Sequence, residues 1–213
     1  MKDLIELTIE YIREFFKNDF SGHDFYHTIR VYNLARHIAE TEKCDIEIVS
    51  LAALLHDVDD IKLVGKQKER FINAKKFLRK HNYNEEKLDK ICHIISQVSF
   101  KGNNSVKPDS IEGMIVQDAD RLDAIGAMGI VRTFTYGGNH NLPIHIPESK
   151  YIKDMTEEEY YNHKGTSINH FYEKLLKLKD LMNTKEAKRI AEHRHKYMET
   201  FLEEFYLEWD GNA

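Results

Sequence analysis

The placement of proline is the feature that most restricts the fold of this chain. All three prolines, Pro108, Pro143 and Pro147, fall in loop-like stretches, and the first hundred residues contain none. Proline interrupts helices because it lacks an amide N–H and clashes with the preceding turn. Apolar residues recur with helical spacing over most of the sequence, and no stretch shows the sustained alternation of a half-buried strand. The pattern therefore predicts an all-α fold.

The apolar spacing predicts a bundle of about eight helices. They are expected near residues 4–16, 24–39, 45–57, 71–78, 88–98, 110–136, 167–182 and 185–207. Asp24 is a candidate N-cap of the second helix. The third helix is apolar on most sides, so we expect it at the centre of the bundle.

The simplest organisation is one domain over residues 1–213, with its core signature at about 20–135 and C-terminal helices at 166–208. A long irregular segment is predicted near residues 137–165. Loops of this length in compact domains are often functional. A lid and a packed surface loop are the two alternatives for it.

Composition limits the partners of the protein. A chain of 213 residues that is 41% hydrophobic and 31% charged suits a globular domain. The net charge of -5 argues against a broad nucleic-acid footprint. No apolar stretch reaches the ~18 residues that span a bilayer, and the N-terminus lacks a secretory signal. We expect free thiols at Cys44 and Cys92, a cytoplasmic location and no nucleic-acid or membrane partner, and we leave a homodimer open.

Two imidazoles and two carboxylates at separate places in the sequence are candidate metal ligands. They belong to His27, the dipeptide His56-Asp57 and Asp120. The dipeptide ends a mostly apolar run over residues 46–55. Polar residues at the end of a core helix are costly to bury without partners. A cation is one such partner, and a solvated helix end is the alternative. The mixed nitrogen and oxygen set suits a divalent metal such as Mn, Fe, Co, Ni or Mg.

The coordination number decides what such a site can do. Four protein ligands would fill a tetrahedral zinc site, which would then be structural. In an octahedral site they would leave two positions for water and a phosphate oxygen. The octahedral case predicts hydrolysis.

Three motifs resemble those of the HD-domain metal-dependent phosphohydrolases. They are Gly22-His23-Asp24-Phe25-Tyr26-His27-Thr28-Ile29-Arg30-Val31, Leu54-Leu55-His56-Asp57 and Ala119-Asp120-Arg121-Leu122-Asp123-Ala124-Ile125-Gly126. The resemblance runs from about residue 20 to the C-terminus. It is closest to a bacterial subgroup that includes an enzyme splitting deoxynucleoside triphosphates to monophosphate and pyrophosphate. It implies an HD-type helical bundle that hydrolyses nucleotides with metal-activated water and one divalent ion, manganese being favoured.

The family pattern also implies which residues bind the metal. It assigns ligand roles to His27, His56, Asp57 and Asp120. Asp118 is the rival for the last position, because the tripeptide Asp118-Ala119-Asp120 offers two carboxylates. The match to Ala-Asp-Arg-Leu favours Asp120.

Other members of the family place an acid four residues after the signature histidine, which here is Asp60. If the helix continues, four residues make about one turn, and Asp60 is predicted to orient or deprotonate the attacking water. An exposed cap acid is the alternative. The two-metal branches of the family use extra histidines, for which His81 and His93 are available. Core packing is favoured over ligation for His93, so we predict one metal.

A polyphosphate substrate needs cationic partners for the charge that develops during reaction. His23, Lys101 and Arg132 are the candidates, and each could instead be a surface residue. Pyrophosphohydrolysis of nucleoside triphosphates ranks first, followed by phosphomonoester hydrolysis of nucleotides and by cyclic-nucleotide phosphodiester hydrolysis. A non-catalytic nucleotide-sensing module is the alternative from another class.

Overall fold

The computed structural model describes residues 3–18, 24–60, 70–99, 106–156, 159, 163 and 165–212. Within these ranges the chain forms nine α-helices, one 3₁₀-helix and no strand, which confirms the predicted all-α fold. The elements are α1 (Leu4–Phe15), α2 (Phe25–Ala39), α3 (Ile46–Leu55), α4 (Ile72–Lys80), α5 (Glu85–Ser96), α6 (Ile111–Asp123), α7 (Gly126–Asn139), α8 (Ser167–Glu173), the 3₁₀-helix (Leu175–Leu181) and α9 (Lys185–Trp209).

The chain divides into two compact units. The first contains α1 to α5 and the part of α6 that ends at Asp120. The second contains the last turn of α6, from Arg121, and the helices α7 to α9. A single domain over residues 1–213 stays a prediction.

Helix α3 is the centre of the first unit, as predicted. Every residue from Ile48 to Leu55 is buried, and α3 packs against α1, α2 and α5. Asp45 caps its first turn, because the Asp45 carboxylate accepts hydrogen bonds from the backbone N–H groups of Glu47 and Ile48. An N-cap of this kind satisfies N–H groups that have no partner within the helix.

Aromatic rings fill the core of the second unit. The ring centroid of Phe201 lies 5.8 Å from that of Phe171 and 5.9 Å from that of Phe134. Ring contacts at this separation add to the stabilisation from apolar burial. Helix α9 packs against α7 and the 3₁₀-helix, and α8 packs against α7. The helix predicted over residues 167–182 is α8 followed by the 3₁₀-helix.

The prediction of one helix over residues 110–136 is wrong, because two helices lie there. Helix α6 ends at Asp123 and α7 begins at Gly126. Gly126 has a φ of 73°, in the left-handed region that favours glycine. A Cβ atom at Gly126 would lie 2.9 Å from the Cγ atom of Arg194. The break between the helices therefore lies where Arg194 of α9, far along the chain, leaves no room for a side chain at position 126.

The irregular segment begins later than predicted. Helix α7 continues through Gly137 and Gly138 and ends at Asn139. In the described part of the segment, the Pro143 carbonyl accepts a hydrogen bond from the backbone N–H of Ser167 at 3.0 Å. This contact with α8 agrees with a packed surface loop, and the lid stays a prediction.

Two expectations from composition can be compared with the structure. Cys44 and Cys92 are both free, as predicted. Burial raises the pKa of Cys92 to about 11, so this thiol is expected to stay protonated at neutral pH. None of the helices in the described ranges is long and apolar enough to cross a bilayer. The cytoplasmic location, the open homodimer and the absence of a nucleic-acid partner stay predictions.

Candidate metal centre

His27 lies in the first turn of α2 and is held there by the helix cap. Asp24 is the N-cap residue, as predicted, and its carboxylate accepts a hydrogen bond from the backbone N–H of His27 at 2.7 Å. The cap fixes the first turn of the helix and with it the direction of the His27 side chain. This side chain is buried, with 1% of its surface exposed.

His56 and Asp57 directly follow the last residue of α3, Leu55. The ring Nδ1 of His56 lies 2.8 Å from the Ala53 carbonyl oxygen. A ring nitrogen that faces a carbonyl must carry the proton and donate it, which orients the ring and directs Nε2 away from the helix. Metal-binding histidines usually have such a partner on their other nitrogen.

These side chains converge with Asp120 of α6 at one place. The Asp57 Oδ2 atom lies 3.3 Å from the Nε2 atoms of both His27 and His56. The Asp120 Oδ1 atom lies 3.5 Å from His27 Nε2 and 3.8 Å from His56 Nε2. Helices distant in sequence thus bring together all four residues of the predicted set.

The charges of these side chains shift the pKa values of their neighbours. Burial lowers the pKa of His56, but the carboxylates of Asp57 and Asp120 outweigh burial and raise this pKa to about 9. Burial alone would raise the pKa of Asp57, yet His56 and His27 hold it well below its ordinary value. Positive charge is therefore favoured between these groups. A divalent cation can take the place of the proton that otherwise supplies this charge.

The polar atoms of the group fit a divalent metal ion. The ligand atoms of His27, His56 and Asp57 all lie within 4.8 Å of one another, and all three residues are buried. His56 Nε2 and Asp57 Oδ2 make no well-formed hydrogen bond to any described residue. Buried polar atoms rarely stay unsatisfied, and a cation would satisfy both. Imidazole nitrogen and carboxylate oxygen are suitable donors for divalent transition metals.

Asp118 and Asp120 differ in their surroundings, although both lie on α6. Asp118 is fully buried, whereas the Asp120 side chain is 25% exposed and lies beside the two imidazoles. Residues two positions apart point about 200° apart around a helix. The contacts of Asp120 agree with the predicted choice, and its role as a ligand stays a prediction.

The α-helix does not continue to Asp60. It ends at Leu55, and a tighter turn follows, in which the Asp60 N–H donates to the Asp57 carbonyl at 3.1 Å. Asp60 is half-buried. His56 and Asp60 are therefore not separated by one turn of an α-helix, as predicted, but by this tighter turn. The role of Asp60 in activating water stays a prediction.

The three predicted phosphate contacts have different outcomes. His23 and Lys101 lie outside the described residues. Arg132 donates a hydrogen bond to the carboxylate of Asp123 at 2.9 Å, and Asp123 is buried. A guanidinium in such an ion pair stabilises a buried carboxylate, a structural contact that the sequence did not indicate. A phosphate contact by Arg132 stays a prediction.

His81 and His93, the candidate ligands of a second metal, each lie against another described side chain. His93 is exposed on α5, and its Nε2 atom lies 2.8 Å from the Asp109 carboxylate. The prediction that His93 packs in the core is therefore wrong. The His81 ring lies 4.7 Å from the ring of Phe77, centroid to centroid. These contacts do not determine how many metal ions the protein binds, so a single metal stays a prediction.

The HD domain family matches residues 24–125 of the chain, which include all four residues of the group. The YpgQ protein of Bacillus subtilis is 38% identical over 205 residues, covering 94% of this chain and 91% of YpgQ. The crystal structure of YpgQ in complex with ADP has a TM-score of 0.76 at 33% identity and covers 98% of this chain and 100% of that one.

Two other crystal structures are similar over nearly their whole length. A Lactobacillus plantarum protein has a TM-score of 0.88 at 38% identity and covers 99% of this chain and 100% of that one. An HD-superfamily hydrolase from Bacillus thuringiensis has a TM-score of 0.73 at 42% identity, with coverage of 97% and 96%. Together with the buried histidine and aspartate group, these relatives show that the chain belongs to the HD superfamily and is a metal-dependent phosphohydrolase.

Proposed function

We propose that this protein hydrolyses nucleoside triphosphates, including the deoxy forms, to monophosphate and pyrophosphate, with one divalent metal ion, manganese being favoured. The observation that carries the proposal is the convergence of His27, His56, Asp57 and Asp120, with each nitrogen within 3.3 to 3.8 Å of both carboxylates. The complex of the relative YpgQ with ADP supports a nucleotide as the ligand.

The proposed ligands of the ion are the Nε2 atoms of His27 and His56 and the carboxylates of Asp57 and Asp120. When bound, the ion supplies a lower pKa for coordinated water and positive charge opposite the phosphoryl oxygens. The chain contributes a preorganised site, because the Ala53 carbonyl fixes the His56 ring. Burial of both imidazoles keeps bulk water away from them, which strengthens electrostatic interactions at the site.

The proposed reaction is a displacement at the α-phosphorus. The oxygen of a water molecule forms a bond to this phosphorus, the bond to the α,β-bridging oxygen breaks, and pyrophosphate leaves with the electron pair. Asp60 is proposed to orient the water and to accept its proton. His23, Lys101 and Arg132 are the proposed partners of the phosphate oxygens.

Product analysis with a panel of nucleotides tests the proposal. Protein stripped by a chelator should be inactive and should regain activity when Mn²⁺ is added. Nucleoside triphosphates should then yield monophosphate and pyrophosphate. Nucleoside with inorganic phosphate would indicate a phosphomonoesterase, and opening of cyclic nucleotides a phosphodiesterase. Nucleotide binding without turnover would indicate a sensing module. Full activity after exhaustive chelation would contradict the metal site itself.

Alanine substitutions distinguish Asp120 from Asp118 as the fourth ligand. Asp120→Ala should lower the affinity for Mn²⁺ by more than ~10-fold, since even the loss of a residue that only supports a ligand costs ~10–100-fold. Asp118→Ala should bind Mn²⁺ as the wild type does. Calorimetric titration of metal-free protein measures both affinities. The reverse pattern, with metal lost only in the Asp118 variant, would assign the ligand to Asp118.

Asp60→Asn should separate water activation from metal binding. We expect this variant to bind Mn²⁺ normally while kcat falls by ~10²–10⁴-fold, the usual contribution of a general base. The acidic limb of the pH–rate profile should change with it. A wild-type rate with an unchanged profile would remove Asp60 from the mechanism, and loss of the metal would make Asp60 a ligand instead.

A further inference from the structure

We infer that Asn73, at the start of α4, is a positioning residue for the metal-site turn, defined as residues 56–60. It acts through a clamp with Val58 and Asp59, two residues of that turn. The inference rests on the proposed function, because the metal-site turn carries His56, Asp57 and Asp60.

The clamp consists of three hydrogen bonds between stretches 14 or 15 residues apart in the sequence. The Asp59 carboxylate accepts one bond from the backbone N–H of Asn73 and one from that of Ala74, both at 2.9 Å. In return, the Asn73 side-chain amide donates to the carbonyl oxygen of Val58 at 2.9 Å. The two stretches therefore hold each other through both backbone and side chain.

The clamp supports the metal-site turn at the point where helix α3 has ended. Helix α3 ends at Leu55, so the α-helical ladder no longer fixes the residues that follow. Beyond the helix, the Val58 N–H donates to the Leu55 carbonyl at 3.4 Å and the Asp60 N–H donates to the Asp57 carbonyl at 3.1 Å. The bond from Asn73 reaches Val58, the residue directly after Asp57. It therefore restrains the backbone next to a proposed ligand.

The same clamp completes the N-terminus of α4. The N-cap position is occupied by Phe71, which has a φ of 60° and makes no capping hydrogen bond with its side chain. The first N–H groups of a helix need acceptors from outside the helix, and the Asp59 carboxylate supplies them here. Negative charge at this end is also favourable for the helix dipole. The position of α4 and the position of the metal-site turn are thus linked.

Asn73→Ala tests the positioning role selectively. It removes the hydrogen bond from the side-chain amide to the Val58 carbonyl. The backbone N–H groups that bind Asp59 remain, so the cap of α4 is retained. Asn84→Ala is the matched control, because Asn84 caps α5 through a bond from the Lys87 N–H at 3.0 Å. Each variant loses one asparagine hydrogen bond near a helix start. We expect similar decreases of the urea midpoint in both.

The two variants should differ at the metal site. Asn73→Ala should lower the affinity for Mn²⁺ by ~10-fold or more, as measured by calorimetry on metal-free protein, since residues that orient ligands contribute ~10–100-fold. It should also lower kcat more than it changes KM. Asn84→Ala should match the wild type in both measurements. Asn73→Gln keeps an amide donor at a shifted position and should restore part of the lost affinity.

Asp57→Ala, measured alongside, tests the proposed metal site separately from the role of Asn73. If Asp57→Ala loses Mn²⁺ while Asn73→Ala binds it like Asn84→Ala, the positioning role of Asn73 is overturned and the metal site stands. If Asp57→Ala binds Mn²⁺ like the wild type, the proposed metal site is wrong, and the inference fails with it. Reduced Mn²⁺ affinity in Asn73→Ala and Asp57→Ala, with a normal Asn84→Ala, supports both.

Discussion

Replacing Asp57 by alanine should reduce turnover by more than ~100-fold, because the loss of a group that merely orients a metal ligand already costs ~10–100-fold. Asp57 lies 3.3 Å from the Nε2 atoms of both His27 and His56 and is buried with them. Of the two described carboxylates that lie beside both imidazoles, its removal leaves that of Asp120. Metal affinity and kcat should therefore fall together, which calorimetry and steady-state kinetics measure.

A measurement of stability checks the same prediction without substrate. Mn²⁺ at 100 times its dissociation constant should stabilise the wild type by about 2.7 kcal/mol, and Asp57→Ala should lose this gain. Asp57→Asn keeps the side-chain volume and should lose it too, which separates charge from packing. Asp89→Ala removes an exposed carboxylate on α5 and should behave as the wild type. Normal turnover in a folded Asp57→Ala variant would refute the ligand role.

Replacing Gly129 by alanine should destabilise the protein by about 3 kcal/mol, at the upper end of the usual effect of inserting a methyl group into a packed site. A Cβ atom at Gly129 would lie 2.2 Å from the carbonyl oxygen of Ala124 and 2.6 Å from its carbonyl carbon. These are backbone atoms at the break between α6 and α7, so no side chain can rotate away. The turn or the start of α7 must move instead. Urea unfolding measures the loss.

Gly138→Ala is the matched control on the same helix. A Cβ atom at Gly138 would meet nothing within 4 Å. Alanine is favoured over glycine within a helix by roughly 0.5–1 kcal/mol, so this substitution should leave stability unchanged or raise it. We therefore expect Gly129→Ala to lower the free energy of unfolding and Gly138→Ala not to lower it. Equal effects would mean that helix propensity, and not the contact with Ala124, decides the outcome at Gly129.

Much of the helical architecture could be predicted because it depends on local pattern. The apolar spacing of α1 to α3 and the Asp24 cap need only neighbouring residues. The break after α6 could not be predicted in this way, because the apolar pattern continues through it. At this break Arg194 of α9 lies against Gly126, a contact with a distant part of the chain that the local pattern does not contain.

In the candidate site too, some residues could be predicted from the sequence and others could not. His27, His56, Asp57 and Asp120 were recognised from motifs, and the structure brings them together. The role of Asn73 could not be predicted from the sequence. Its side chain bonds to the backbone carbonyl of Val58, and any residue at position 58 would present such a carbonyl. The exposure of His93 could have been inferred. It lies two positions from Ile91, and so on the opposite side of α5.

The burial of α3 from Ile48 to its last residue has a consequence for how the chain reaches a single folded state. All residues from Ile48 to Leu55 are buried, so these eight residues present no exposed polar stripe that would specify the rotation of the helix about its own axis. A slip by one residue would turn it by about 100° at little cost in apolar burial. Such a slip would, however, carry His56 and Asp57 away from His27. Buried polar residues select one register in coiled coils, and we expect His56 and Asp57 to do the same here. Selection for activity would then also preserve the uniqueness of the core.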